Sequence, residues 1–213
     1  MTDVERPRWR RQPELRPAQI LDAALGVFSE QGLEAARLED IASRAGVSKA
    51  TIYLYFPSKT ELFREVVQRA VGELVEALER SPEAGTARAG VEAFTTAFWH
   101  QLRAPDFYTT YRLVLSEVNS FPGLAREYAR EIRRPIAELL HPILDRGVAA
   151  GEFTPGDTES RARMLLALVI KHAVWCARRE FVTELQEKSD DEVLSEVLAF
   201  YLAALGAGSG DAG

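Results

Sequence analysis

A single cysteine, Cys176, and three scattered histidines, His100, His141 and His172, are all the thiol and imidazole groups in a chain of 213 residues. One thiol cannot close an intrachain disulfide, and this set cannot supply the Cys/His clusters of a structural zinc site, so neither metal nor cofactor is expected. Long hydrophobic runs are also missing. A stretch such as Met164–Ile170 is far too short to cross a bilayer, and the arginines at 6, 8, 10 and 11 are not followed by the apolar segment of a signal peptide. The expectation is a soluble, cytoplasmic protein with no membrane partner. Sustained period-2 alternation with β-branched residues is absent too, which speaks against a sheet.

What is present suits helices. Hydrophobic residues make up 46% of the chain, enough for a core, and the length fits one large or two small domains. The formal charge of −6 divides unevenly: residues 1–64 hold 10 Lys+Arg against 9 Asp+Glu, leaving 16 against 23 in residues 65–213, hence +1 in front and −7 behind. A weakly positive front on an acidic body fits a segment that meets something anionic, and chance unevenness explains it as readily. Ile20, Ala23, Ala24, Val27 and Phe28 form a helical stripe from about Pro17 to Gln31, which Gly32 ends. A short helix over Leu38–Ala45 stops at Gly46. Ser48 can cap a third helix ending near Phe56, and Ser58-Lys59-Thr60-Glu61 reads as a capping box for a long fourth helix to about Arg80. Beyond the break at Ser81–Gly85, helices are expected near Thr86–Arg103, Asp106–Val118, Pro122–Ala150, Asp157–Glu180 and Ser189–Leu205. The fold class is all-α, with about nine helices.

Between the second and third helices lies Gly46-Val47-Ser48-Lys49-Ala50-Thr51-Ile52-Tyr53-Leu54-Tyr55-Phe56. Short helices meeting at a Gly-Val-Ser corner are the pattern of a helix-turn-helix unit, whose second helix lies in the DNA major groove. Helical periodicity turns Val47, Ile52 and Phe56 toward the first two helices and leaves Ser48, Lys49, Thr51, Tyr53 and Tyr55 outside. Lysine can meet a guanine edge or a phosphate, threonine a thymine methyl or a phosphate, and a tyrosine hydroxyl a phosphate oxygen. Core packing of the two tyrosines is the competing reading.

Residues 18–67 resemble the N-terminal DNA-binding domain of the TetR family of transcriptional regulators. The resemblance rests on Ile20-Leu21-Asp22-Ala23-Ala24, Phe28, Gly32, Asp40-Ile41-Ala42, Ala45-Gly46-Val47-Ser48, Thr51-Ile52-Tyr53, Tyr55-Phe56 and Lys59. The segment Tyr111–Phe153 is similar to the branch with AefR-like C-terminal domains. Two departures stand out. Ala36-Arg37 replaces the usual hydroxyl pair at the start of the second helix, with Arg37 offering a charged phosphate contact instead, and Tyr55 stands where histidine is frequent. The resemblance implies a helix-turn-helix DNA-binding domain at 14–74, preceded by a basic arm at 1–13. It also implies a ligand-binding and dimerisation domain at 75–206 and a flexible tail at 207–213. The implied DNA-facing set is Arg37, Ser48, Lys49, Ala50, Thr51, Tyr53, Leu54, Tyr55 and Lys59.

Members of the family are homodimers joined through their last two helices, which nominates Leu165, Leu168, Val169, Leu194, Leu198, Tyr201 and Leu202 for the interface. The aromatics Phe94, Phe98, Trp99, Phe107, Tyr108, Tyr111 and Trp175, with His100, His141 and His172 as polar anchors, are candidates for contact with an apolar or aromatic effector, although aromatics at helical spacing also serve as ordinary core. The implied function is a regulator, a repressor released from a palindromic double-stranded operator by a small molecule. The alternative is an all-α enzyme or redox sensor using Cys176 and His172, four residues apart on one helix, but no third orienting residue accompanies them.

Overall fold

Gly32 breaks the first helix where the sequence expects an end. In the computed structural model, which describes residues 16–80, 85–120 and 129–206, α1 spans Arg16–Ala35, but Gly32 has φ 77°, a left-handed value open to glycine, so the regular helix stops there and one further turn follows. That turn buries Leu33. Helix α2 covers Leu38–Ala45 and closes at Gly46, whose φ of 65° and ψ of 33° let its N–H reach back to the carbonyls of Ala42 and Ser43. Helix α3 covers Lys49–Tyr55, and α4 covers Lys59–Glu79. The Ser58 hydroxyl accepts the Glu61 N–H at 3.1 Å, one half of the expected capping box; the Glu61 carboxylate turns to Arg64 instead.

The later helices are α5 (Ala87–Leu102), α6 (Pro105–Ser120), α7 (Arg134–Ala149), α8 (Thr158–Ala177) and α9 (Asp190–Gly206). A π-helical turn at Ala129–Arg133 leads into α7, and two 3-10 turns link α8 to α9. Nine α-helices and no strand are found among the described residues. The expected arm at 1–13, residues 81–84 of the expected break, the start of the helix expected from Pro122 and the tail at 207–213 lie outside them.

The chain divides into two compact units at Val66/Val67, inside α4. The first unit buries Ile20, Val27, Phe28, Ile41, Ile52 and Leu62, with Phe28 and Phe63 in edge contact at 5.7 Å between ring centroids. Leu74 and Leu78 belong to the second core, together with Val91, Phe98, Leu140, Leu144, Leu165, Val193 and Leu205. Each apolar stripe is buried inside its own unit, which gives each a separate core.

Polar contacts fix the ends of the second unit's helices. Asp157 caps α8 by accepting the N–H groups of Glu159 and Ser160, both at 3.2 Å, and Ser189 and Glu192 close a reciprocal capping box at the start of α9. The Tyr201 hydroxyl donates to the Arg161 carbonyl at 2.9 Å, tying α9 to α8. Glu152, far away in sequence, places one carboxylate oxygen on the Ala87 N–H and the other on the Arg88 N–H, each at 3.0 Å. These backbone bonds, Ala87 first, hold its carboxyl below the ordinary value of 4.5. A carboxyl lowered by folding stabilises the fold above its unfolded value and loses that contribution as pH falls through the folded one. The stability difference between wild type and Glu152→Gln in urea titrations should therefore be constant above about pH 4.5 and vanish well below it; a difference independent of pH would contradict the assignment.

Candidate nucleic-acid interface

Seven residues are too few to hold a helix by themselves, so α3 takes its direction from its ends and its inner face. Ser48 caps it, accepting the Thr51 N–H at 3.1 Å, and the two hydroxyls lie 2.8 Å apart. At the other end Phe56 leaves the helix with extended backbone, and its N–H reaches the Ile52 carbonyl. Ile52 is wholly buried and Phe56 nearly so, while Val47 is half-buried. The opposite face is open. Leu54 is 82% exposed, Tyr53 48% and Tyr55 39%, values that remove the reading of these tyrosines as core. Ser48, Lys49 and Ala50 are exposed beside them, Thr51 is half-buried, and Arg37 is exposed at the start of α2 without capping that helix through its side chain.

The charges on this face are arranged in a way the sequence does not disclose. Lys49 Nζ donates to Glu39 Oε1 at 2.7 Å and lies 5.9 Å from the centre of the Tyr53 ring. The hydrogen bond raises the Lys49 pKa and lowers that of Glu39, so both stay charged. A phosphate or base approaching Lys49 competes with this carboxylate. No spacing rule links residues 39 and 49; only the crossing of α2 and α3 brings them together.

Lys59 departs from its expected place. Its Nζ donates to the carbonyls of Glu34 at 2.8 Å and Ala36 at 2.9 Å, the open acceptors where α1 ends. Two of the ammonium's three donors are thereby occupied by backbone. In the unbound chain it closes α1 and keeps its third donor free of these two carbonyls.

The residues expected at the dimer interface differ in burial within the subunit. Leu165, Val169, Leu194, Tyr201 and Leu202 are buried in the subunit's own core, and a side chain without exposed surface has little to offer a partner. Leu168 and Leu198 are half-buried. The outward apolar groups on α8 and α9 are Met164, 57% exposed, and Phe200, 66% exposed, which line one shallow apolar surface with Ala167, Leu168 and Ala204. Sequence periodicity finds a stripe on each helix but cannot say which of two apolar faces the subunit consumes.

Of the candidate effector contacts, Phe94, Phe98 and Trp99 are packed into the core of the second unit, Phe94 and Phe98 with ring centroids 6.0 Å apart. Tyr108 and Tyr111 border a cavity of about 10 Å³, room for little more than one water molecule. The Phe107 side chain lies outside the described residues. His172 Nδ1 donates to the Leu168 carbonyl at 2.8 Å, and its ring meets that of Trp175 edge-on at 5.1 Å. Cys176 is buried, and burial pushes its thiol pKa up, the opposite of a nucleophile's activation. No group of three or more His, Cys, Asp or Glu that could hold a metal ion is found among the described residues, and none of their helices is long and apolar enough to cross a membrane.

A capped reading helix held against two bracing helices, with its polar and aromatic face outward, defines a helix-turn-helix DNA-binding unit. The family profile described as "Bacterial regulatory proteins, tetR family" matches residues 20–66, and that of the "AefR-like transcriptional repressor, C-terminal domain" matches residues 89–207. The chain belongs to the TetR family of transcriptional regulators, DNA-binding proteins that act as dimers and are not enzymes.

It is similar to the fatty acid metabolism regulator protein of Bacillus subtilis, 30% identical over 157 residues that make up 73% of this chain and 80% of the relative. It is also similar to the transcriptional activator FasR of Mycolicibacterium smegmatis, 39% identical over 104 residues, 46% of this chain and 45% of that one. Among solved structures, the TetR family regulator PfmR of Thermus thermophilus superposes with a TM-score of 0.67 at 26% identity, covering 86% of this chain and 97% of its own.

The Lys49–Glu39 pair makes opposite predictions for its two members. Lys49→Ala should weaken DNA binding and reduce the slope of log affinity against log salt by about 1 if the ammonium meets a phosphate. Glu39→Ala should strengthen binding, and only modestly, since an exposed, solvent-screened pair of this kind is weak. Fluorescence anisotropy across a salt series measures both, and weaker binding by Glu39→Ala would contradict the competition.

Proposed function

We propose that the protein is a homodimeric repressor that binds a palindromic operator through α3 of each subunit and is released by a small-molecule effector taken up in the second unit. The observation that carries this reading is the division of α3 into a wholly buried Ile52 and an exposed face of Lys49, Tyr53, Leu54 and Tyr55. Tyrosine hydroxyls over apolar rings suit phosphate oxygens, and Leu54 suits a thymine methyl. The AefR-like repressor profile supports repression, and the aromatic content of α5, α6 and α8 supports an effector with an apolar body.

The apolar surface of Met164, Ala167, Leu168, Phe200 and Ala204 supports self-association through α8 and α9. A two-fold pair presents the same patch from both sides and sets two reading helices about 34–36 Å apart on successive major grooves. Helix α4 places Leu62 and Phe63 in the first core and Leu74 and Leu78 in the second, so it is the continuous element through which effector binding would alter operator affinity. A coupling of about 1–3 kcal/mol between the two sites corresponds to about 5- to 150-fold in affinity.

Sedimentation velocity and gel shift with the DNA upstream of the protein's own coding sequence test the reading together. Wild type should sediment as a dimer and shift that DNA specifically. Phe200→Glu should sediment as a folded monomer and lose specific binding. A wild-type monomer, or a wild-type dimer that binds no DNA specifically, would defeat the proposal.

A further inference from the structure

Two oppositely charged side chains stand together at the start of the reading helix. Glu39 lies in the first turn of α2 and Lys49 opens α3; both are exposed, with the ammonium 2.7 Å from Oε1 of the carboxylate. The other charged groups of α2 bind back to α1: Asp40 accepts from Gln31 at 3.3 Å, and Arg44 pairs with Glu30 at 2.8 Å. Glu39 is the carboxylate of α2 that meets α3. At the edge of a DNA-facing surface such a group carries a cost, because it repels phosphates as well as holding the lysine.

Lys49 is steadied by two neighbours. Besides the carboxylate, the centre of the Tyr53 ring lies 5.9 Å from Nζ, so the ammonium is placed rather than swinging on its stem. It presents N–H donors directly beside an acceptor, one hydrogen-bond length apart. A G·C pair offers the complement along its major-groove edge: guanine N7 and O6 accept, and the cytosine N4 amino group next to O6 donates. O6 and N4 are bonded to each other in the base pair and so lie about 3 Å apart, close to the spacing of the protein pair. An A·T pair breaks this order, with its amino donor between two acceptors and a methyl at the end.

We infer that Glu39 is a specificity-determining residue that, together with Lys49, reads one G·C base pair in each operator half-site, the lysine on guanine and the carboxylate on the cytosine amino group. This rests on the regulator reading above, in which α3 enters the major groove. Glu39 acts by rejection. It weakens binding to every duplex, least where a cytosine amino group faces it and most where a carbonyl or a thymine methyl does. Removing it therefore strengthens binding and loosens the choice of base, because an unguided lysine meets a phosphate or a neighbouring base as readily.

Selection of duplexes from a random-sequence pool by the full chain, as wild type, Glu39→Ala and Glu39→Gln, with sequencing of the bound fraction, tests the inference. Wild type should enrich a two-fold symmetric motif in which G·C is favoured at one position of each half-site by about fivefold or more, the lower end of what a single base pair contributes. Glu39→Ala should enrich the same motif with that one preference lost and the other positions kept, and bind it no more weakly. Glu39→Gln should loosen the same position, because its amide presents donors as well as an acceptor. Glu39 is exposed, so both variants should melt as wild type does; should one fail to fold, the other gives the reading.

The same base preferences in wild type and variants, a change spread evenly over all positions, or a preference lost at an A·T pair would each overturn the inference while leaving the regulator reading intact. An even change would mark Glu39 as a general repellent of phosphates. Wild type that enriches no motif sinks the regulator reading, and the inference with it.

Discussion

Burial of Ile52 is the constraint on which the DNA-facing geometry depends. Helix α3 has seven residues, too short to persist alone, and Ile52 is its fully buried anchor. Once that side chain enters the first unit's core, helical periodicity fixes where the others go: Lys49, Tyr53 and Leu54 face away, and Phe56 closes the exit. Gly46 and Ser48 then set the entry, one by its left-handed backbone and the other by its cap. Lys59 supports the brace by filling the acceptors at the end of α1. Function here follows from a few apolar contacts that orient a polar face.

The second unit depends on the same division of faces. Helices α8 and α9 bury one stripe each in the subunit core, and Met164 and Phe200 show that an apolar surface remains beyond it. Large exposed apolar groups gathered in one patch are typical of a surface that meets another molecule.

Much of this was legible in the sequence because it is local. Gly32, Gly46, Ser48 and Ser58 mark helix ends through backbone conformation and hydrogen bonds that span a few residues, and the helix order follows from them. The two faces of α3 follow from periodicity. What stayed hidden depends on three-dimensional crossings. The Lys49–Glu39 pair, the Lys59 contacts and the Glu152 cap on α5 join residues whose spacing carries no signal. The burial of Leu165 and Val169 in the subunit's own core was hidden for a related reason: both are apolar at helical spacing, but periodicity cannot tell a core face from a partner face when a helix has both.

Hydroxyl-radical footprinting of the wild-type protein on the DNA upstream of its own coding sequence tests the central claim most directly. Two copies of α3 set in successive major grooves predict two protected patches on one face of the duplex, about 34–36 Å apart. Continuous protection without that spacing, or none at all, would contradict the assignment of α3 as the reader.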